Sequence, residues 1–500
     1  MPTPPFILAI DQGTTSSRAI LFDRNLHVGG VAQQEFPQLY PQPGWVEHDP
    51  ETIWQSVQSV MVEALKRAEI SSDAVAAIAV ANQRETVVVW DRHSGRPIHN
   101  AIVWQCRRTA EFCKELKRQG AEPLVRAKTG LVLDAYFSAT KIGWILDRVD
   151  GARLAARRGD LLCGTIDSWL IWKLSGGKEH VTDATNASRT LLFNIHTLTW
   201  DEELLALFDV PACMMPTVLP SSGLAATCRL PEFGGREIPV MGVAGDQQAA
   251  LFGQGCFRAG QVKNTYGTGC FLLMNTGNKP VSSRNGLLTT LTAQTRMDSP
   301  SYALEGSVFM GGAVMQWLRD ELQILARSSD AGSIAASVPD TGGVYLVPAF
   351  AGLGAPHWDM YARGALVGMT RGTGRRQIIR AAEEAIAYQC CDVVNAMRAD
   401  SELDVSLLRV DGGASADPFL MQFQADLLDC RIERPACMET TALGAAALAA
   451  QALGWHTPET LGSPLATVSF SPSMPVAQRE HLLSGWRKAV SRAAAWTDAS

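Results

Sequence analysis

The sequence lacks a strong excess of either charge, a paired cysteine motif and a long apolar run. Across 500 residues, 44 Lys and Arg stand against 50 Asp and Glu, a formal net charge of −6. That near balance argues against a main partner that is nucleic acid or an anionic membrane, while leaving room for a local basic pocket. The 11 cysteines are scattered, with Cys390 and Cys391 adjacent and no C-x-x-C pair. This spacing fits no common zinc pattern, and so long a chain needs no disulfide staples. Reduced, buried thiols are expected. Residues 1–6 have neither the basic start nor the apolar stretch of a leader. The apolar run 74–81 is far shorter than the ~20 residues that cross a bilayer. A soluble, cytoplasmic protein without stable membrane insertion is expected. Also missing are G-x-x-x-x-G-K-[ST], H-R-D and D-F-G. Any nucleotide phosphates must therefore be held by other loops.

What is present is ordinary globular usage, 46% hydrophobic and 19% charged, which excludes whole-chain disorder. Helical and strand patterns alternate, which predicts an α/β architecture. Residues 7–10 are apolar, Asp11-Gln12-Gly13-Thr14-Thr15-Ser16-Ser17-Arg18 follow, and 19–22 are apolar again. This predicts a β-hairpin with a polar turn. The layout recurs at 261–265, Tyr266-Gly267-Thr268-Gly269 and 270–274, a weak internal repeat. Gly253, Gly255 and Gly260 cluster just ahead of it, which places domains at 1–253 and 254–500. An amphipathic helix is predicted over 381–397. The Ala-rich stretch 442–453, carrying Gly444, reads as a helix packed closely on a neighbour. The tail after Gly454, with Pro458, Gly462, Pro464 and Pro472, should start as loop and end as helix over 481–496.

Several segments carry chemistry. Gly13 lets backbone N–H groups approach an anion, Thr14, Thr15, Ser16 and Ser17 add hydroxyls, and Arg18 adds a positive fork. Asp11 at the strand end could hold Mg²⁺ through water. The same segment also reads as a polar turn with a surface arginine. Tyr266-Gly267-Thr268-Gly269 and Val410-Asp411-Gly412-Gly413-Ala414 offer two further small turns for a ligand. Asp246, after the apolar run 240–244, is either a base for an attacking hydroxyl or the N-cap of the following helix. Arg84 and Glu85, in Asn82-Gln83-Arg84-Glu85-Thr86, could clamp a diol or form a surface ion pair. In a strand they would face opposite ways unless a turn redirects one. Trp104, Tyr136 and Phe271 could wall the CH face of a polyol or be plain core.

Taken together, these segments resemble the FGGY carbohydrate kinases, and within them the glycerol kinases. Trp104-Gln105-Cys106-Arg107-Arg108-Thr109, Gly245-Asp246-Gln247-Gln248, Asn264-Thr265 and residues 348–356 add to the likeness. Tyr136-Phe137-Ser138-Ala139-Thr140-Lys141-Ile142-Gly143-Trp144 resembles a signature of the wider family. The resemblance implies a two-domain, actin-like fold of ribonuclease-H-like topology with a catalytic cleft between the domains. It implies ATP-dependent phosphorylation of glycerol to sn-glycerol 3-phosphate, the first step of glycerol catabolism, with Mg²⁺ and with ATP as co-substrate. Asp246 would be the base. Arg84, Glu85, Tyr136, Asp246 and Gln247 would hold the glycerol oxygens, with Trp104 and Phe271 against its carbons. Thr14, Thr15, Ser16, Arg18, Thr268 and Gly312 would take the phosphates. Gln316, Gly413 and Asp417 would lie near the nucleoside, and Asp11 would serve the metal. A homodimer or homotetramer is implied.

Three features depart from the family pattern: Asp417 stands where Asn is common, Glu232 sits ahead of Gly234-Gly235-Arg236, where an anion-binding loop would not favour it, and the stretch 471–479 differs from relatives regulated by a sugar-transport phosphocarrier protein. Two alternatives remain open: a kinase for another small polyol or a pentulose, and a non-enzymatic actin-like nucleotide switch.

Overall fold

Short apolar runs that are buried on both faces make the central strands. Ile7, Leu8, Ala9 and Ile10 are fully buried, as are Ile78, Ala79, Val80 and Ala81. The computed structural model describes residues 5–461 and 467–497. The chain divides into two compact units. The first comprises Met1–Gly255, Thr289–Tyr302 and Thr440–Ser463, and the second Cys256–Leu288, Ala303–Glu439 and Pro464–Ser500.

The first unit is built on a six-stranded sheet in the order Ser222–Cys228, Ile238–Gly245, Val75–Asn82, Phe6–Gln12, Ser16–Phe22, Val28–Glu35. Phe6–Gln12 runs parallel to Val75–Asn82, which runs parallel to Ile238–Gly245. The hairpin and both edge strands are antiparallel. The helix Pro50–Arg67 packs on the two outer hairpin-side strands. Its start is fixed by Asp49, whose carboxylate accepts from the Glu51 N–H, and by Pro50 in the first turn.

Six strands of a seven-stranded sheet repeat this order in the second unit: Thr467–Phe470, Arg431–Pro435, Leu407–Asp411, Val262–Tyr266, Cys270–Gly277, Tyr302–Val308. Again an antiparallel edge strand leads to two parallel neighbours and then to an antiparallel hairpin. The internal repeat seen weakly in sequence thus has a topological counterpart. The order along the chain differs, because the edge strand precedes its partner in the first unit and follows it in the second.

Four details differ from the sequence expectations. The first hairpin turn is shorter, because Asp11, Ser16 and Arg18 lie in strands. The helix expected at 381–397 extends over Arg375–Ser401, because polar turns prolong it at both ends beyond the buried stretch from Ile379 to Met397. The tail holds an unexpected strand, Thr467–Phe470, paired antiparallel with Arg431–Pro435, before the helix Val476–Ala493; Gly462 and Pro464 lie outside the described residues. The segment Thr440–Ser463 belongs to the first unit although it follows residue 254. The reason is packing: a Cβ on Gly444 would collide with the Ala249 carbonyl, and one on Gly253 with the Thr440 carbonyl. The Ala-rich helix Thr440–Ala452 therefore lies backbone to backbone on the helix Asp246–Gly253.

Candidate active site

The hairpin turn of the first unit is held by glutamines. Gly13 N–H donates to the Ser16 carbonyl at 2.9 Å. Gln83 donates from Nε2 to Gln12 Oε1 and to the Gly13 carbonyl, both at 3.1 Å. Its backbone N–H reaches the Gln12 carbonyl at 2.7 Å. The turn is thereby tied to the segment that carries Arg84. Trp104 Nε1 donates to Thr14 Oγ1 at 2.9 Å, which fixes one hydroxyl. Arg18 sits opposite Asp11 in the hairpin register. It donates from Nη2 to Gln33 Oε1 at 2.9 Å, and Gln33 Nε2 donates to Ser16 Oγ at 3.0 Å. Thr15 is exposed, while Asp11, Thr14, Ser16 and Arg18 are half-buried.

Between the strands Val75–Asn82 and Val87–Asp91 the backbone makes a three-residue turn. Thr86 N–H donates to the Arg84 carbonyl at 2.7 Å, and Glu85 has φ of 60°. Positive φ is unfavourable for Glu, and such strain gathers at functional sites. The turn breaks the strand alternation that would have set Arg84 and Glu85 on opposite faces. Arg84 Nε lies 3.1 Å from Asp246 Oδ1 and 3.9 Å from Glu85 Oε1. Arg84 Nη1 donates to Gln248 Oε1 at 3.2 Å. The Arg84 and Glu85 side chains are 3% and 2% exposed, whereas Asp246 is 31% exposed. The carboxylate at 246 is therefore the most exposed side chain of this group.

Asp246 is the first residue of the helix Asp246–Gly253, and Gly245 is the N-cap. The N-cap alternative for Asp246 is thus corrected. Gly245 is needed for a local reason: a Cβ there would stand 2.7 Å from Arg84 Cγ. Gly245 N–H donates to Thr185 Oγ1 at 2.8 Å, and that hydroxyl donates to Asp183 at 2.8 Å. Burial pushes the Asp183 carboxyl up, against the several donors that surround it. Gln247 is half-buried and donates its N–H to Asp246 Oδ1 at 2.7 Å. The Trp104 and Tyr136 rings meet edge to face at 5.6 Å.

The second unit places its candidates around its own hairpin turn. Phe271 lies in this unit, in the strand Cys270–Gly277 opposite Thr265. Thr268 is exposed at the turn tip. Its carbonyl accepts from Gly311 N–H at 2.9 Å, and Gly312 N–H donates to the Gly267 carbonyl at 2.9 Å. That N–H of Gly312 shapes the turn. Gln316 is exposed on the helix Ala313–Asp320, and Gly413 is exposed at the start of the short turn Gly413–Ala416. Gly412 has φ of 83° and packs against the Tyr266 backbone. Asp417 is an N-cap: its carboxylate accepts from Phe419 and Leu420 N–H at the start of Pro418–Leu428. Burial raises its carboxyl in spite of those donors.

Sequence reasoning missed Gln83, Thr185, Lys141 and Arg189. Lys141 lies in the signature-like segment 136–144, where sequence reasoning assigned its amine no role. It is fully buried, and burial pulls it down to about 7, against the nearby Glu85 charge. Arg189 has no local pattern to mark it. Its Nε lies 2.6 Å from Glu85 Oε1.

Comparison with known proteins concerns the chain as a whole. Residues 6–253 match the N-terminal domain of the FGGY family of carbohydrate kinases, and residues 262–453 match its C-terminal domain. A glycerol kinase of Carboxydothermus hydrogenoformans is 58% identical over 496 residues, covering 99% of both chains. Glycerol kinase 2 of Pseudomonas aeruginosa is 58% identical over 495 residues, covering 99% of this chain and 98% of its own. The crystal structure of Plasmodium falciparum glycerol kinase with ADP superimposes with a TM-score of 0.92 at 36% identity, over 98% of both chains. A gluconate kinase from Lactobacillus acidophilus, 22% identical with a TM-score of 0.86, shares the fold. By its two matched domains, its repeated hairpin sheets and its full-length relatives, this chain belongs to the FGGY family of carbohydrate kinases.

Proposed function

We propose that this chain moves the γ-phosphoryl group of ATP to a terminal hydroxyl of glycerol, giving sn-glycerol 3-phosphate and ADP. The observation that carries this reading is the Arg84 guanidinium 3.1 Å from the partly exposed carboxylate of Asp246, in the unit where Trp104 and Tyr136 meet. A hydroxyl beside that pair can accept from the guanidinium while donating to the carboxylate. Asp246 takes the proton as the oxygen attacks phosphorus. Because the transition state of phosphoryl transfer is loose in most analyses, positioning contributes more than early deprotonation. Glu85, Tyr136 and Gln247 offer further polar groups for the remaining hydroxyls, and Trp104 and Phe271 offer apolar faces for the carbons. Glycerol kinases among the full-length relatives support this assignment.

Thr14, Thr15, Ser16, Arg18, Thr268 and Gly312 are assigned to the phosphates, and Gln316, Gly413 and Asp417 to the nucleoside. Asp417 enters this list through backbone and shape, because its carboxylate already caps a helix. Among the described residues no group of three or more His, Cys, Asp or Glu could form a metal cage. A single half-buried Asp11 fits Mg²⁺ that keeps its waters and phosphate oxygens. Bound there, Mg²⁺ would neutralise charge on the transferring phosphates. Among the described residues no helix is long and apolar enough to cross a membrane, in keeping with a cytoplasmic assignment. The assignment of a homodimer or homotetramer rests on the family likeness and is checked by light scattering.

The test is a coupled assay of ADP release with glycerol, xylulose and ribulose. Turnover on glycerol with at most weak turnover on the pentuloses is expected. A preference for a pentulose, or ATP binding without any phosphorylated product, would overturn the reading.

A further inference from the structure

A carboxylate that grips a diol must be held still, and Glu85 has a nearer cation than Arg84. Arg84 Nε is 3.9 Å from Glu85 Oε1 but 3.1 Å from Asp246. Arg189 Nε is 2.6 Å from Glu85 Oε1, and both side chains are buried, at 0% and 2% exposure. The orientation of Glu85 is therefore set by Arg189, which leaves Arg84 to Asp246. The Arg189 guanidinium also lies over the Tyr136 and Phe137 rings, at 5.8 and 5.3 Å from their centroids. One buried fork thus touches two residues assigned above to glycerol.

The backbone beneath is braced in the same way. Lys141, fully buried on the helix Ser138–Arg148, donates to the Tyr136 carbonyl at 2.7 Å and to the Glu85 carbonyl at 3.1 Å. Ser138 Oγ adds a second bond to the Glu85 carbonyl at 3.1 Å. The start of this helix is tied to the Arg189 segment, since Ala139 N–H donates to the Thr190 carbonyl at 2.8 Å. Two cations on two segments therefore close on one turn, and that turn has a non-glycine residue at positive φ. A strained turn persists only when its surroundings over-determine it.

We infer that Arg189 and Lys141 are positioning residues that set selectivity for a substrate with vicinal hydroxyls, Arg189 by orienting the Glu85 carboxylate and Lys141 by locking the Glu85 and Tyr136 backbones together. This rests on the glycerol reading above. Neither residue touches substrate in this account. Arg is required at 189 because its planar fork is pre-organised toward a carboxylate while stacking on aromatic faces; Lys supplies the charge without the fork.

The experiment compares wild type, Arg189→Met, Arg189→Lys and Lys141→Gln as full-length enzymes, with glycerol and with propane-1,3-diol, which lacks the middle hydroxyl. For Arg189→Met, loss of a charge-assisted bond predicts a rise in glycerol KM of about ten- to a hundredfold, with ATP KM unchanged. The preference for glycerol over propane-1,3-diol should shrink with it. Arg189→Lys should recover part of both, and Lys141→Gln should shift both in the same direction by less. If Arg189→Met does not fold, folded Arg189→Lys and Lys141→Gln decide the matter. Unchanged glycerol KM and unchanged selectivity in those two would overturn the inference. A wild-type enzyme inactive on glycerol would instead overturn the glycerol reading, so the two failures are distinct.

Discussion

The two hairpin turns solve one geometric problem with different materials. In the first unit the turn after Phe6–Gln12 has a single glycine and a run of hydroxyls, and it is held by side chains: Gln83, Gln12 and the Trp104 indole. In the second, the turn after Val262–Tyr266 has two glycines and is held by backbone, with Gly311 and Gly312 N–H groups donating into it. Close packing explains the second choice. A Cβ on Gly269 would meet the Val308 carbonyl, and one on Gly311 would meet Cys270 Sγ. Side-chain bracing couples a turn to neighbours that can also serve a substrate. Backbone bracing fixes its shape and leaves the Thr268 side chain at the tip. The side-chain neighbours that brace the first turn should therefore answer mutation mainly in glycerol parameters, and the backbone-braced second turn mainly in nucleotide parameters.

The largest effect that would sharpen this contrast lies at the exposed carboxylate. Asp246→Asn should lower kcat by about 10²–10⁴-fold, the usual worth of a general base, with ADP affinity by calorimetry unchanged. A variant that kept full activity would remove Asp246 from the chemistry. Next comes a matched pair of glycine substitutions. Gly245→Ala drives a methyl into the Arg84 stem and should raise glycerol KM about tenfold or more with ATP KM little changed. Gly269→Ala should do the reverse. Equal effects on both substrates in both variants would erase the distinction between the cluster of Arg84 and Asp246 and the second turn.

Smaller shifts follow. Trp104→Phe removes the indole donor to Thr14 and should cost about 1 kcal/mol of transition-state binding, roughly a fivefold loss in kcat/KM. The smallest expected effect is on stability. Glu383, in the second unit, is fully buried, and burial together with the Asp417 charge pushes its carboxyl up to about 8. The folded protein then holds this proton between the ordinary carboxylate range and about pH 8, while the unfolded chain releases it. Stability from this group accordingly falls as pH rises through that window. Glu383→Gln should raise the melting temperature at pH 8 more than at pH 5, by differential scanning fluorimetry. A uniform shift would show that titration of Glu383 is not the cause.

The apolar runs at 7–10, 19–22 and 240–244 made their strands legible, because a strand buried on both faces must be apolar throughout. Asp11, Gly13, Asp246 and Arg84-Glu85 stood out because turns and strand ends use few residue types. Other features left no local mark. Arg189 and Lys141 look like any surface cations in sequence, and only burial beside Glu85 gives them meaning. The strand Thr467–Phe470 is four residues long, and its identity depends on pairing with Arg431–Pro435. That the Asp417 carboxylate caps a helix likewise shows only in the structure.

By itself the sequence determined the α/β class, the two hairpins and the chemical types assembled for a phosphoryl-transfer site, since these follow from periodicity and local turn preference. Tertiary structure alone decided that Thr440–Ala452 returns to the first unit, that Glu85 answers to Arg189 before Arg84, and that Asp246 is the accessible acid of its cluster. Each of these depends on which atoms come within about 3 Å of one another across long sequence separations, where close packing and the need of buried charge for a partner leave no periodic trace.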